Sequence, residues 1–348
     1  MFSVKHIDIE GEETMGFNDI IGQRVIVESL RNAVKSNMIS NGYVFSGPKG
    51  CGKKLMAFIF AMALNCSGEN NDKPCGRCSS CIRTSSGNHP NLELVEPIGQ
   101  SIKIKQIRGI ISDSARKPFE SGYKIIIIDN ADKMTIEAQD AFLKTLEEPP
   151  ENTVFLILTE NHNLLLPTIV SRCQVYRFKP VDSLEMKAFI KSKYDYSEMD
   201  VEAAVRHSKG IVGRALELLS DKGSFKARAL YTDILEKALT GNGSDAILLA
   251  SEAIEDRESA ESFLEFSLSW FRDIIVLRES QGAYDNLIIN ADSLEVLSRH
   301  NSFLTEAKLN SIMEIINKTY RYIKHNVGIK NSIDGMLFNI AEVNSNNG

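Results

Sequence analysis

Apolar residues recur along the first half of the chain in two rhythms. Short β-rich runs at Tyr43–Ser46, Asn91–Val95, Lys124–Ile128, Val154–Leu158 and Val175–Phe178 predict strands. Between them, Gln23–Ser36, Lys53–Asn65, Ile104–Ala115 and Thr135–Glu147 carry apolar residues at helical spacing and predict helices. Thr135 is placed to cap the last of these. Glu147-Glu148-Pro149-Pro150 ends it, because proline donates no amide and disfavours helix in the residue before it. Strands alternating with helices predict an α/β domain with a parallel sheet flanked by helices.

Proline then divides the chain. All nine prolines fall at or before Pro180. Beyond it the pattern is helical, through Leu184–Lys193, Val201–His207, Arg214–Leu219, Ala227–Ala238, Ser262–Arg278 and Ala307–His325. Asp221-Lys222-Gly223 and Gly241-Asn242-Gly243 mark breaks. We expect an α/β domain over 1–180, a small helical domain over 181–221 and a larger all-helical domain over 222–348. Residues 1–14 fit no element, and Met15-Gly16-Phe17 is a sensible start for the fold. The tail Asn344–Gly348 is expected to fray. There is no internal repeat.

Composition adds little to this picture but excludes several classes. A chain of 348 residues accommodates two or three domains. No apolar run approaches the roughly 18–20 residues of a membrane span. The first residues do not read as a secretory signal. Both observations lead us to expect a cytoplasmic protein without a membrane partner. The net charge of −6 means that the surface as a whole does not attract nucleic acid. Any DNA contact is expected to be local or to belong to a partner.

Residues 47–54 read GPKGCGKK and lie between the first predicted strand and an apolar helix. A bare GxxxxGK arises by chance, but this one has a strand before it and a helix after it. Gly47, Gly50 and Gly52 let backbone amides turn toward a phosphate, and Lys53 supplies a point charge. The next residue in such loops is Ser or Thr, whose hydroxyl holds Mg²⁺. Here it is Lys54, which cannot ligate a metal and repels one. Asp129 ends the Ile125–Ile128 strand in the place of the metal-associated carboxylate. The residue after it, where a water-activating glutamate is usual, is Asn130, which cannot serve as a general base. Asp132 is displaced by two positions. Lys53 and the loop amides leave two readings open, a loop that still binds ATP or ADP and a vestigial pocket, whereas Mg²⁺ and hydrolysis are not expected.

Six cysteines are present, and Cys66, Cys75, Cys78 and Cys81 cluster as C-x₈-C-x₂-C-x₂-C. Clustering in a chain without secretory features points to metal rather than to disulfides. Four thiolates at this spacing suit a closed, structural Zn²⁺ site. An iron–sulfur centre and four free thiols are the alternatives; the x₃-C-P continuation typical of the former is absent after Cys81. Cys51 and Cys173 read as packing residues.

Three polar residues stand near the predicted loop. Thr159 ends the fourth strand, where a side chain could sense phosphate, although strand-end threonines are common. Arg214 follows Gly210-Ile211-Val212-Gly213 and could reach a phosphate or simply face solvent. Arg172, in Leu166-Pro167-Thr168-Ile169-Val170-Ser171-Arg172-Cys173, is by spacing alone either a solvated arginine or a finger for a neighbour's nucleotide.

Phe17-Asn18-Asp19-Ile20-Ile21-Gly22-Gln23, the loop at 47–54, the four cysteines, Asp129, AFLKTLEEPPENTVFLILT (141–159) and LPTIVSRCQ (166–174) together resemble the AAA+ subunits of the bacterial DNA polymerase III clamp loader. The resemblance runs in order over roughly 17–215, and more loosely over a helical collar ending in Asn326–Ile340. It implies an AAA+ domain, a helical lid and an oligomerisation collar in a five-subunit ring with gamma/tau and delta subunits. That ring belongs to the DNA polymerase III holoenzyme and places the beta sliding clamp on primed DNA. Gamma and tau keep GKT or GKS and an acidic pair; this chain departs from them at Lys54 and Asn130. The resemblance thus implies a rigid, non-hydrolysing member that presents Arg172 in trans to a neighbouring ATPase. Arg214 matches the family's sensor-2 position.

Overall fold

The computed structural model describes residues 15–68, 73–114, 118–220, 222–279, 287–324 and 328–345. Residues 1–14, Ala115, Asp221, His325-Asn326-Val327 and the last three tail positions, on which expectations fell, lie outside the described residues.

Five strands form where the apolar runs predict them: β1 (Gly42–Ser46), β2 (Leu92–Val95), β3 (Lys124–Ile128), β4 (Thr153–Thr159) and β5 (Gln174–Arg177). All pairings are parallel, in the order β2-β3-β4-β1-β5. Every residue of β1, β3 and β4 is buried. Both faces of a parallel sheet are covered by helices, which is why these strands read as unbroken apolar runs.

The helices that cover it are α1 (Arg24–Ser36), α2 (Lys53–Leu64), α3 (Ser79–Ser85), α4 (Ile104–Ser114), α5 (Ile136–Glu147), α6 (Pro167–Val170) and α7 (Ser183–Lys193). Side chains alternate between the two faces, as a strand requires. Tyr43, Phe45, Ile125, Ile127, Leu156 and Leu158 share one core with Met56, Ile59 and Phe60 of α2. Val44, Ile126, Ile128, Phe155 and Ile157 share the other with Ile107 and Ile110 of α4 and Phe142 of α5. Thr135 caps α5, its Oγ1 accepting a hydrogen bond from the Ala138 amide at 3.3 Å. The Pro149-Pro150 pair follows directly after the helix ends.

The later part of the chain is helical: α8 (Glu198–Ser208), α9 (Val212–Ser220), α10 (Lys222–Leu239), α11 (Gly243–Ala253), α12 (Arg257–Glu279), α13 (Leu294–Phe303), α14 (Glu306–Lys324) and α15 (Ile329–Ser345). Lys222 and Gly223, expected in a break, lie inside α10, because the long apolar stripe that follows carries the helix back over them. Apolar periodicity does not predict α3 or α6; at seven and four residues they are too short to display a stripe.

Contacts divide the chain into two compact units. One runs to Tyr196 and includes Ser208–Ala215; the other comprises Ser197–His207 and the chain from Leu216 on. The second unit has its own core, centred on Phe263, Trp270, Phe271 and Ile274 of α12, with Leu235, Ile316 and Leu337 packed in.

That core includes the buried imidazole of His300. Trp270 Nε1 donates to His300 Nδ1 at 3.1 Å, so the proton sits on Nε2, which is buried without a partner. Burial, with a smaller contribution from Arg299, pushes His300 down to about 4. The unfolded chain therefore takes up a proton at higher pH than the native chain. We expect the second unit to lose stability as pH falls from about 6.5 to about 4, by roughly 3 kcal/mol in all. Urea unfolding across that range checks it, and His300→Asn should flatten the slope.

Candidate phosphate-binding site and cysteine centre

The candidate site is built on the carboxyl edge of the sheet, where open α/β folds bind ligands. The glycine-rich loop leaves β1 and enters α2 at Lys53. Gly50 and Gly52 adopt φ of 81° and 91°, a region that other residues avoid. The Gly213 amide donates to the Gly50 carbonyl at 2.9 Å, which brings the Gly213–Arg214 segment onto the loop. A side chain at Gly213 would meet Gly50 Cα at 2.9 Å, so both positions need glycine for this approach. At the other end, Gly47 donates its amide to the Thr159 carbonyl at 3.1 Å.

The two lysines behave differently. Lys53 is buried and donates to the carbonyls of Gly47 and Pro48 at 2.7 and 2.9 Å. Its ammonium therefore lies within the loop itself. Lys54 reaches across the sheet edge and places Nζ 2.6 Å from Glu96 Oε1 and 3.2 Å from Asp129 Oδ2. Burial works against its charge, but Glu96 and Asp129 outweigh it and hold the ammonium above the usual lysine range. Partly exposed ion pairs contribute only about 0–1 kcal/mol, so the meaning of this triad is positional.

Strand register explains the triad. Val95 of β2 pairs with Ile128 of β3, and the Asp129 amide donates to the Val95 carbonyl at 2.8 Å. Glu96 and Asp129 are thus the next residues beyond a paired position and emerge side by side. Glu96 was not legible as a site residue. The signal was a carboxylate directly after an apolar strand, but its value depends on β2 lying next to β3.

The remaining acidic groups are engaged. Asp129 Oδ1 accepts from the Asn130 amide at 2.9 Å. Asn130 itself takes a left-handed conformation, φ 52°. Asp132 Oδ1 accepts from Thr159 Oγ1 at 3.0 Å and from the Glu160 amide at 3.1 Å. Thr159 is fully buried and pairs with Ser46 across β4 and β1. The two strand-end hydroxyls are satisfied by different partners: Thr159 Oγ1 donates to Asp132, whereas Ser46 Oγ pairs with His162 Nδ1 at 3.1 Å.

Arg172 follows α6 on an exposed surface. Its Nη2 donates to Glu147 Oε1 at 2.6 Å and its Nη1 to the Thr168 carbonyl at 3.0 Å. Glu147, the last residue of α5, belongs to the LEEPP segment, so two sequence features read separately meet here in space.

The four clustered cysteines converge. Their sulfur atoms all lie within 4.8 Å of one another, close enough to hold one metal ion. Tetrahedral Zn–S bonds of about 2.3 Å imply sulfur–sulfur edges of roughly 3.8 Å, which this spacing accommodates. Cys66 follows α2; Cys78 caps α3 and accepts from the Cys81 amide at 3.4 Å. The Cys75 amide in turn donates to Cys66 Sγ at 3.3 Å. Burial works against thiolate at all four. It prevails at Cys66 and Cys81 and raises them, while hydrogen bonds prevail at Cys75 and bring Cys78 down to about 5. Cys51 and Cys173 lie apart from this set, and burial raises both, Cys173 to about 12. Among the described residues no helix is long and apolar enough to cross a membrane.

Residues 22–182 match the family model described as DNA polymerase III, delta subunit. The DNA polymerase III subunit delta' of Bacillus subtilis is 28% identical over 322 residues, covering 91% of this chain and 95% of that protein. The subunit tau of the same organism is also 28% identical, over 88% of this chain but only 58% of its own length. A DNA polymerase III gamma subunit-related protein from Thermotoga maritima superposes with a TM-score of 0.48 at 18% identity, covering 91% of this chain and 99% of that one. Residues 22–182 thus carry the domain of this DNA polymerase III family, and the chain as a whole is similar to delta-prime and gamma/tau subunits of the clamp loader.

Proposed function

We propose that this chain is a delta-prime-type subunit of a clamp loader, one that assists sliding-clamp loading on primed DNA without hydrolysing ATP itself. The observation that carries the reading is the Lys54 ammonium lying against Asp129 and Glu96, where a hydrolysing site would hold Mg²⁺. Asn130, unable to activate water, supports the same conclusion.

In this reading the chain contributes to catalysis at a neighbour's site. Arg172 stands exposed beside Glu147 and is lent to the ATP bound by an adjacent gamma/tau subunit. Exchange of Glu147 for a phosphate keeps the guanidinium in a charge-assisted pair throughout. Residues 1–180 form the AAA+ domain, 181–221 its lid, and 222–348 the collar that assembles with gamma/tau and delta. The thiolate cluster holds one structural Zn²⁺ and has no open position for chemistry. With a net charge of −6, the chain leaves most DNA contact to its partners.

An active gamma-like ATPase is the second reading, since identity to tau equals identity to delta-prime. Turnover of ATP by the purified chain separates the two. We expect none above background; steady turnover abolished by Lys53→Ala would establish the enzyme instead. Arg172→Ala should leave the ring assembled yet lower turnover at the adjacent gamma/tau site by about 10³-fold or more, the size of a finger effect, and so lower the ATPase rate of the ring. An unchanged rate would reject the finger role. Metal analysis should return one zinc per chain. Cys81→Ser should release that zinc and lower the melting temperature of the first unit, whereas Cys51→Ser should leave the zinc content unchanged.

A further inference from the structure

Mg²⁺ at a phosphate loop is held by oxygen ligands at about 2.0–2.1 Å in near-octahedral geometry. The Ser or Thr after the loop lysine supplies one of them, and an acidic residue on a neighbouring strand helps to hold the ion. The residues of this chain do not fit that ion. The hydroxyl position is Lys54, and its Nζ lies 2.6 Å from Glu96 and 3.2 Å from Asp129. A divalent cation arriving there meets a fixed positive charge and carboxylates already occupied. The contact is also anchored from three elements. Lys54 is on α2, Glu96 follows β2 and Asp129 follows β3. Glu96 is further positioned through its backbone, whose carbonyl accepts from Gln106 Nε2 at 2.9 Å.

We propose that Lys54 is a built-in substitute for Mg²⁺, and that the loop takes a nucleoside diphosphate in metal-free form. This rests on the reading of residues 47–54 as a phosphate loop in a non-hydrolysing subunit. An ammonium carries three donors. Two are directed to Glu96 and Asp129, which leaves one for a phosphate oxygen. Lys53 now spends its protons on the carbonyls of Gly47 and Pro48, and exchanges them for phosphate oxygens when a ligand enters. Two lysine charges against two carboxylates leave the pocket near neutrality. A Mg²⁺ site with one lysine and two carboxylates carries one positive charge more. The weaker field suits a diphosphate, which brings less negative charge than a triphosphate. Glu96 and Asp129 act here as positioning residues, holding the substitute cation where the metal would be.

Isothermal titration of the full chain with ADP, in EDTA and in millimolar Mg²⁺, tests the inference. We expect binding in EDTA, with Mg²⁺ tightening the Kd by less than about threefold. Lys54→Thr restores a hydroxyl and frees both carboxylates. Its binding should weaken about tenfold or more in EDTA and recover when Mg²⁺ is added. Wild-type binding tightened more than threefold by Mg²⁺, or no binding in either buffer, overturns the proposal. So does Lys54→Thr binding that remains indifferent to the metal. Thermal melts establish that the variant is folded, and the wild-type comparison decides the matter if it is not. Failure of the broader reading is distinguishable. ATP turnover by the chain alone would end the non-hydrolysing assignment, whereas Mg²⁺-dependent binding without turnover would end only this inference.

Discussion

Parallel pairing of β1, β3 and β4 is the constraint on which the charged groups of this molecule depend. Parallel strands end at the same edge of a sheet, and register decides which side chains emerge together. Ser46 pairs with Thr159, and Val95 with Ile128. The loop, Thr159, Glu96 and Asp129 are therefore delivered to one edge by the burial of residues that have no chemistry of their own. A slip of one residue would turn each side chain to the opposite face, driving Ile126 and Ile128 out of the core they share with α4 and α5 and into the one built on α2. The apolar core holds the register, and the register holds the site.

At that edge, charged and polar groups find one another within the chain. Lys54 meets Glu96 and Asp129, Asp132 meets Thr159, and Arg172 meets Glu147. Each pair satisfies groups that would otherwise lose hydration without compensation. The pairs differ in permanence. Asp132 and Thr159 are joined at a fully buried strand end, whereas Arg172 and Glu147 are exposed and exchange readily with solvent or an incoming anion. An arginine in such a shallow pair suits the proposed role at a neighbour's site. A lysine held by two carboxylates is not available to a metal.

The second unit relies on a different balance. Its helices bury a large aromatic core, and polar residues within it are tied down individually. Asp273 is fully buried, accepting from the amide and the side chain of Asn290 at 2.7 Å each and from Arg272 at 2.8 Å. His300 has only half of its hydrogen bonding met. A collar proposed to assemble with other subunits thus carries its own fold, with His300 as a titratable weak point in its interior.

Much of the first unit was determined by sequence alone. Buried parallel strands need unbroken apolar runs, so Lys124–Ile128 could be read to the residue; helix caps and prolines then fixed the ends of α5. The loop glycines and the four-cysteine spacing were equally legible, because local backbone geometry and metal chemistry dictate them. Glu96 was not legible, since nothing local distinguishes it from other carboxylates at strand ends. Nor was the pairing of Glu147 with Arg172, which lie in separate segments. Lys54 shows the division most clearly. Its identity announced that a metal-binding hydroxyl was missing, but only tertiary structure decided what stands in its place. Long-range strand order brings two carboxylates from β2 and β3 to one ammonium, and no local pattern encodes that meeting.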